Sequence, residues 1–213
     1  MDIFQEYGIE YLYHMTYINN LTSIITNGLL SHNEAYRRGL IEVDISDPDV
    51  QNRRANRTID KIPLHEYVPL YFSPRNPMLY RRKQHQDDIV ILGIEPQLLL
   101  ETNVIFSDGN AAAGETRFYR GEQMLNQLPW NVIWAQYWND FEDGKRMKCA
   151  EILVYPTVAP NRIKAVFCRS QKHSNVILAA IQRTDREHLT CAMSINAYSS
   201  QKLENLEPDH KEK

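Results

Sequence analysis

Lys148-Cys149-Ala150-Glu151-Ile152-Leu153-Val154-Tyr155-Pro156 is the stretch whose reading decides the fold. It is apolar and β-branched, it stops at a proline, and the turn residues Asp143-Gly144 stand shortly before it, so it reads as a strand. Strand side chains alternate between faces. Glu151 therefore shares a face with Leu153 and Tyr155, while Ala150, Ile152 and Val154 occupy the other. Apolar residues on both faces make this a covered strand, and a covered carboxylate needs a partner or a chemical task to offset its desolvation. From this stretch alone, a structural ion pair, an edge residue reaching solvent and a catalytic acid all remain open for Glu151.

Working outward, the segment 107–148 differs in character. Ser107-Asp-Gly-Asn110 marks a turn, and all three tryptophans of the chain lie between it and Glu151. They are interleaved with cations, in the order Arg117, Tyr119, Arg120, Trp130, Trp134, Tyr137, Trp138, Lys145 and Arg146. Single-stranded nucleic acid needs this mixture, because rings stack on bases and cations meet phosphates. An amphipathic helix over 125–137 that docks its aromatics into the core accounts for the same residues. Both readings stay open.

The remaining elements surround these two. Residues 88–95 form the clearest strand, an apolar run covered on both faces. Val68 to Phe72 reads as a strand broken by Ser73-Pro74-Arg75-Asn76-Pro77, with a helix from Met78 to Lys83 that has Pro77 in its first turn. The consecutive aromatics Tyr71 and Phe72 suit either core packing or a platform for a flat ring. Residues 11–16 are a short strand leading into a helix over 17–27, whose apolar positions are Ile18, Leu21, Ile24 and Ile25 and whose left-handed cap is Gly28. Thr16 is expected as its N-cap. His14 then ends the strand ahead of a helix N-terminus, where phosphates and riboses are often bound; a core histidine is the alternative. A second short helix is expected over 29–40, further strands over 102–106, 162–167 and 189–195, and a helix over 175–183.

Between the first and second groups of elements lies Asp47-Pro48-Asp49, followed by Arg53, Arg54 and Arg57. Asp-Pro starts turns, and a type II turn prefers glycine after the proline, so Asp49 is out of place in that reading. The arginines are either a solvated basic face or a clamp for pyrophosphate or a nucleic-acid backbone.

At 213 residues with a formal charge of -3, the chain suits one domain, and any polyanion must be met by a local basic patch. Cys149, Cys168 and Cys191 lack metal-type spacing and read as reduced core residues. The acidic start and the lack of a long apolar run predict a soluble cytoplasmic protein. One domain is expected over 1–198, with 107–148 as a substrate-binding segment and 199–213 as a disordered tail. The sequence has no phosphate-binding Gly-rich loop, no zinc pattern and no nucleophile elbow, and no metal is expected.

Tyr13-His14-Met-Thr16, with Asn20-Leu21 and Gly28-Leu29, resembles the first motif of ADP-ribosyltransferases with a histidine-containing site. Val50-Gln51-Asn-Arg53-Arg54, the run from Tyr67 to Leu79, Asp108-Gly-Asn-Ala-Ala and Ala150-Glu151 narrow this further. Together they are similar to the DarT family, toxins that ADP-ribosylate single-stranded DNA, over roughly the first 170 residues and with the motif order kept. The resemblance implies an α+β fold, an ADP-ribosyltransferase-like split β-sheet core with flanking helices and an inserted substrate-binding segment. It implies NAD⁺ as donor, thymidine (favoured) or guanosine in single-stranded DNA as acceptor, and a macrodomain antitoxin as partner. The implied catalytic residues are Glu151 with Arg54 or Arg53. His14, Thr16, Asn20, Gly28, Leu29, Arg54, Tyr71 and Phe72 would hold NAD⁺. Arg75, Met78, Arg117, Tyr119, Trp130, Trp134, Tyr137, Trp138 and Arg146 would hold the DNA. An NAD-dependent RNA 2′-phosphotransferase and a non-enzymatic single-stranded-DNA-binding module are the alternatives. If Asp49 attenuates the enzyme by placing a negative charge near the pyrophosphate, Asp49→Gly raises DNA modification or cell toxicity; unchanged values in both assays exclude attenuation.

Overall fold

The computed structural model describes residues 2–40, 48–184 and 189–193. Its strands are β1 (Leu12–Tyr17), β2 (Leu29–Leu30), β3 (Thr58–Ile59), β4 (Ile62–Pro63), β5 (Val68–Tyr71), β6 (Ile89–Ile94), β7 (Val104–Ser107), β8 (Phe118–Tyr119), β9 (Glu151–Val154), β10 (Thr157–Val158), β11 (Ile163–Cys168) and β12 (Thr190–Met193). The helices are α1 (Ile3–Glu6), α2 (Leu21–Asn27), α3 (His32–Arg37), α4 (Pro48–Ala55), α5 (Pro77–Arg81), α6 (Trp130–Ile133), α7 (Gly144–Met147) and α8 (Gln171–Arg183).

An eight-stranded mixed sheet, in the order β12-β11-β6-β1-β5-β9-β7-β8, carries the fold. The interior strand β6, flanked by β11 and β1, has all of its residues buried, as a continuous apolar run requires. The alternation expected of residues 150–155 is present: Ala150, Ile152 and Val154 join the main core with Val68, Leu70 and Phe72, while Leu153 packs in a second cluster on the other face. All six residues of β1 pair with β6, yet only Tyr13 pairs with β5, opposite Tyr71. The sheet thus opens between β1 and β5 into two halves joined at one register pair. This opening lies beside the site.

Several local expectations need correction. Thr16 is not a helix cap: it lies inside β1, a 3-10 turn at Ile18–Asn20 precedes α2, and the Thr16 hydroxyl accepts from Asn20 Nδ2 at 3.1 Å. His14 likewise sits within the strand rather than at its end. Residues 29–40 are β2 followed by the shorter α3, which starts where Ser31 accepts from the Glu34 amide. No helix runs over 125–137: a 3-10 turn ends at Gln127, and α6 spans only Trp130–Ile133 after Pro129. Proline cannot donate to a preceding turn, so it interrupts the run. Residues 48–55 are helical, so Asp49 occupies a first helical turn, where a carboxylate is favoured by the helix dipole, and the case for glycine from a turn falls away. The expected tail over 199–213 and the last residues of the 189–195 strand lie outside the described residues. No helix among the described residues is long and apolar enough to cross a membrane.

Gly28 shows how tightly the opening is built. Its φ is +82°, and a Cβ there would collide with the Val158 carbonyl oxygen of the β2–β10 pair. Gly28→Ala is expected to destabilise the protein by about 1–3 kcal/mol through backbone strain, read as a lower urea midpoint. An unchanged midpoint contradicts this account of the turn.

Candidate active site

Glu151 is 1% exposed, at the start of β9 and opposite Tyr71 of β5. Both carboxylate oxygens are engaged. Oε2 accepts from Arg54 Nη1 at 2.8 Å, and Oε1 accepts from the Ala111 amide at 2.8 Å. The Glu151 amide in turn donates to Ser107 Oγ at 3.1 Å, and that hydroxyl donates to the Gly109 carbonyl at 2.7 Å. The glutamate therefore is ion-paired and also joins helix α4, strand β9 and the loop 108–117. A carboxylate has about four acceptor directions, so the two bonds leave capacity for a ligand hydroxyl.

Arg54 and Arg53 separate at once. Arg54 is buried and holds Glu151, whereas Arg53 is exposed at the cavity wall. Arg57 is taken up structurally: it donates to the carbonyls of Ala113 and Thr116 and lies 5.1 Å from the centre of the Phe118 ring. Arg146 fixes the other side of the same loop, bonding Asp108 at 2.7 Å and Asp143 at 2.5 Å.

Two cavities meet here. The smaller, about 190 Å³, is lined by His14, Thr16, Asn20, Gly28 and Leu29 among others. The larger, about 610 Å³, has Glu151, Arg53, Cys149 and Arg146 in its wall. Gln51, Arg54, Pro69, Tyr71 and Met78 line both. The site thus has two adjoining chambers, with Arg54 and Tyr71 at the junction.

Chemistry follows from the environment of each group. His14 Nδ1 lies 2.9 Å from the Pro69 carbonyl, which only accepts, so Nδ1 carries the proton. Burial holds the ring below its usual value, against the opposing effect of that bond, so the neutral form has Nε2 as an acceptor. Burial, and then the Glu151 charge, push the Tyr71 phenol well up, and it stays protonated. Burial and then Glu151 also raise the Cys149 thiol to about 12, which leaves it inert as a nucleophile. Among the described residues, no group of three His, Cys, Asp or Glu side chains is placed to hold a metal.

Other candidates separate by burial. Phe72 does not reach either cavity: it is fully buried and packs edgewise on Trp130 at 5.1 Å, because it faces away from Tyr71. Trp130 and Trp134 stack on each other at 5.9 Å and spend their indole N–H groups on the carbonyls of Leu125 and Tyr7. Tyr119 stacks on buried Phe106, and exposed Arg117 precedes it; neither lines either of the two chambers. These aromatics serve the core. Met78 lines both chambers, Tyr137 is 62% exposed, and Trp138 is half-buried. Arg75 is half-buried near Tyr137, with its guanidinium held below its usual value by burial.

Ser107 and Lys148 lie outside the motifs that carry the family resemblance; Ala111 lies within one of them, but the use of its backbone amide is not written in its residue type. Lys148 is 3% exposed and donates to the carbonyls of Ile133 and Ala135 at 2.6 and 2.7 Å, tying the 130s loop to the approach of β9. A lone lysine beside a strand gives no warning of this in sequence.

Comparisons with known proteins bear on the family and the fold. The family model described as "ssDNA thymidine ADP-ribosyltransferase, DarT" matches residues 13–198. A DNA ADP-ribosyl transferase of Thermus sp. (strain 2.9) is 31% identical over 185 residues, covering 81% of this chain and 87% of the relative. A DNA ADP-ribosyl transferase-DNA ADP-ribosyl glycohydrolase fusion protein of Thermosipho africanus is 33% identical over 177 residues, covering 80% of this chain, and this match spans only 45% of the fusion. Thermus sp. 2.9 DarT, solved with ADP-ribosylated ssDNA, superposes with a TM-score of 0.81 at 28% identity, covering 90% of this chain and 97% of that one. The same protein has been solved with NAD⁺, at a TM-score of 0.73 and 28% identity, covering 90% and 98%. The fold and these relatives define an ADP-ribosyltransferase-type enzyme. The chain belongs to the DarT family of single-stranded-DNA thymidine ADP-ribosyltransferases.

Burial, and then the charge of Arg75, lower Lys148 from 10.5 to about 8. The unfolded chain holds this proton up to its higher value while the folded chain releases it, so stability should rise with pH between those two values. Melting temperatures of the wild type and Lys148→Met across this range test the sign: the difference between them should shift in favour of the wild type as pH rises, and a shift the other way refutes it.

Proposed function

We propose that the two chambers hold the two substrates of one reaction, with NAD⁺ reaching through the smaller into the larger and a thymine of single-stranded DNA entering the larger. The observation that carries this reading is the placement of Glu151, between Arg54 and the Ala111 amide, where the chambers adjoin. The reaction is NAD-dependent transfer of ADP-ribose to a DNA base, with release of nicotinamide.

Breaking the nicotinamide–ribose bond develops oxocarbenium character on the ribose, as in glycoside cleavage. Glu151 accepts from the ribose 2′-hydroxyl and stabilises that cation at short range. His14 Nε2 is an acceptor for an adenosine or ribose hydroxyl, with Thr16 and Asn20 beside it. Gly28 and Leu29 keep the wall of this chamber close to the ligand. Tyr71, kept neutral, lies against the nicotinamide; Phe72 has no part in that contact.

Thymine N3 carries a proton and is a poor nucleophile until that proton leaves. Arg54 cannot take it, because a guanidinium stays charged, but it can stabilise the anion that forms. Glu151 takes the proton. The N3–C1′ bond then forms as the C1′–nicotinamide bond breaks, and charge and atoms balance with one proton released. Arg53, Met78, Arg75, Tyr137 and Trp138 lie where they can meet the strand around the target base, and the base must leave its stack to reach the ribose. The reading extends to a toxin in the cytoplasm, countered by a macrodomain protein that removes the mark. The fused transferase and glycohydrolase of the Thermosipho africanus relative supports this pairing.

Glu151→Gln keeps the shape and the Ala111 bond but loses the charge. It should bind NAD⁺ and lose about 10²–10³ in transfer rate, about 3–4 kcal/mol. Mass spectrometry of a thymidine-containing oligonucleotide should show the gain of one ADP-ribose with wild type only. Glu151→Ala, which leaves buried Arg54 unpaired, should also lose about 3–5 kcal/mol of stability. Wild-type modification by Glu151→Gln would remove the central claim.

A further inference from the structure

Beside the larger chamber, Tyr80 and Trp138 form an open aromatic corner that the core does not use. Their ring centroids are 5.5 Å apart and their planes meet at 77°, so the two rings are walls set nearly at right angles. Tyr80 is 57% exposed and Trp138 is half-buried, so both rings can be reached from solvent. The corner is joined to the chamber through both of its elements. On α5, Pro77, Met78 and Arg81 line the larger chamber, and Tyr80 follows roughly 60° round the helix from Pro77. Trp138 belongs to the turn Trp138–Asp140 that packs against α7, whose Lys145 and Arg146 also line that chamber.

Charge is distributed unevenly around the corner. Lys83 Nζ lies 5.5 Å from the centre of the Tyr80 ring, and Arg81 and Arg82 line the chamber on the same side. The acids Asp140, Glu142 and Asp143 accompany Lys145 and Arg146 on the α7 side, whereas Lys83 stands beside the Tyr80 ring on the α5 side. A flat, uncharged group with an anion attached fits this arrangement: the base against the rings, its phosphate toward Lys83.

We propose that Tyr80 and Trp138 form a stacking subsite for one nucleotide flanking the modified thymidine, with Lys83 meeting the adjoining phosphate. This rests on the DNA-transfer reading and adds a second point of hold on the strand. Stacking fixes the register of the strand, so the target base enters the chamber from a defined direction. The subsite takes any base with a π-face, and the preference it imposes is for the presence of a base more than for its identity.

The test is an oligonucleotide carrying one thymidine, with an abasic residue moved through the flanking positions, assayed below saturating DNA. With wild type, one flanking position should show a rate loss of roughly 5- to 100-fold when its base is removed. With Tyr80→Ala, that penalty should fall to about twofold or less, and Tyr80→Trp should restore it. Matched NAD⁺-dependent shifts in Tm verify that the variants are folded. A full abasic penalty retained in Tyr80→Ala, or no penalty at any position in wild type, overturns the subsite while leaving DNA transfer intact. Failure of wild type to modify the unbroken oligonucleotide overturns the transfer reading itself, and the subsite with it.

Discussion

The ion pair between Arg54 and Glu151 is the constraint on which the site depends. The partners are 97 residues apart in sequence, and both side chains are almost fully buried. Removing two charges from water costs several kcal/mol each, and only good geometry with further hydrogen bonds offsets this. Here the Ala111 amide supplies the extra bond, so the pair holds helix α4 on one side and the loop 108–117 on the other. Arg57 and Arg146 then brace that loop from two directions. The carboxylate is thereby held rigid before any ligand arrives, which is the condition for electrostatic catalysis.

The second constraint is the opening of the sheet. Because β1 meets β5 at a single register pair, the two halves diverge beside Tyr71 and leave room for the smaller chamber. On the other side of Tyr71, the pairing of β5 with β9 is complete and presents Glu151. The junction therefore presents His14 on its β1 side and the Glu151 carboxylate on its β9 side. Arg54 and Tyr71 line both chambers, so the two chambers share walls.

Legibility in the sequence tracked how local each cause was. The strand character of 150–154 and of 89–94 follows from apolar runs and turn residues, and both lie where expected. Asn76-Pro77 opens α5, where Asn76 accepts from the Met78 and Leu79 amides, because a cap acts within one turn. Thr16 misled for the same reason in reverse: a threonine before a helical pattern suits a cap, but pairing along the whole of β1 with β6 outweighs that local preference. The tryptophans divided in a way composition could not foresee. Trp130 and Trp134 lie one helical turn apart and stack into the core, while Trp138, beyond that turn, is left at the surface corner.

By itself the sequence determined the chemical cast: a carboxylate in a covered strand, a histidine strand, an arginine cluster and the order in which they occur. It did so because alternation, turn chemistry and residue type act over a few neighbouring residues. Tertiary structure alone decided that Arg54 and not Arg53 is the partner of Glu151, that Phe72 faces the core while Tyr71 lines the cavities, and that Ser107 and the Ala111 amide bond Glu151 while Lys148 ties the 130s loop to the approach of β9. Those assignments depend on which face of α4 and of β5 meets β9, and on backbone groups that every residue carries alike. Contacts across 97 residues are set by the packing of the whole sheet, and no local pattern encodes them.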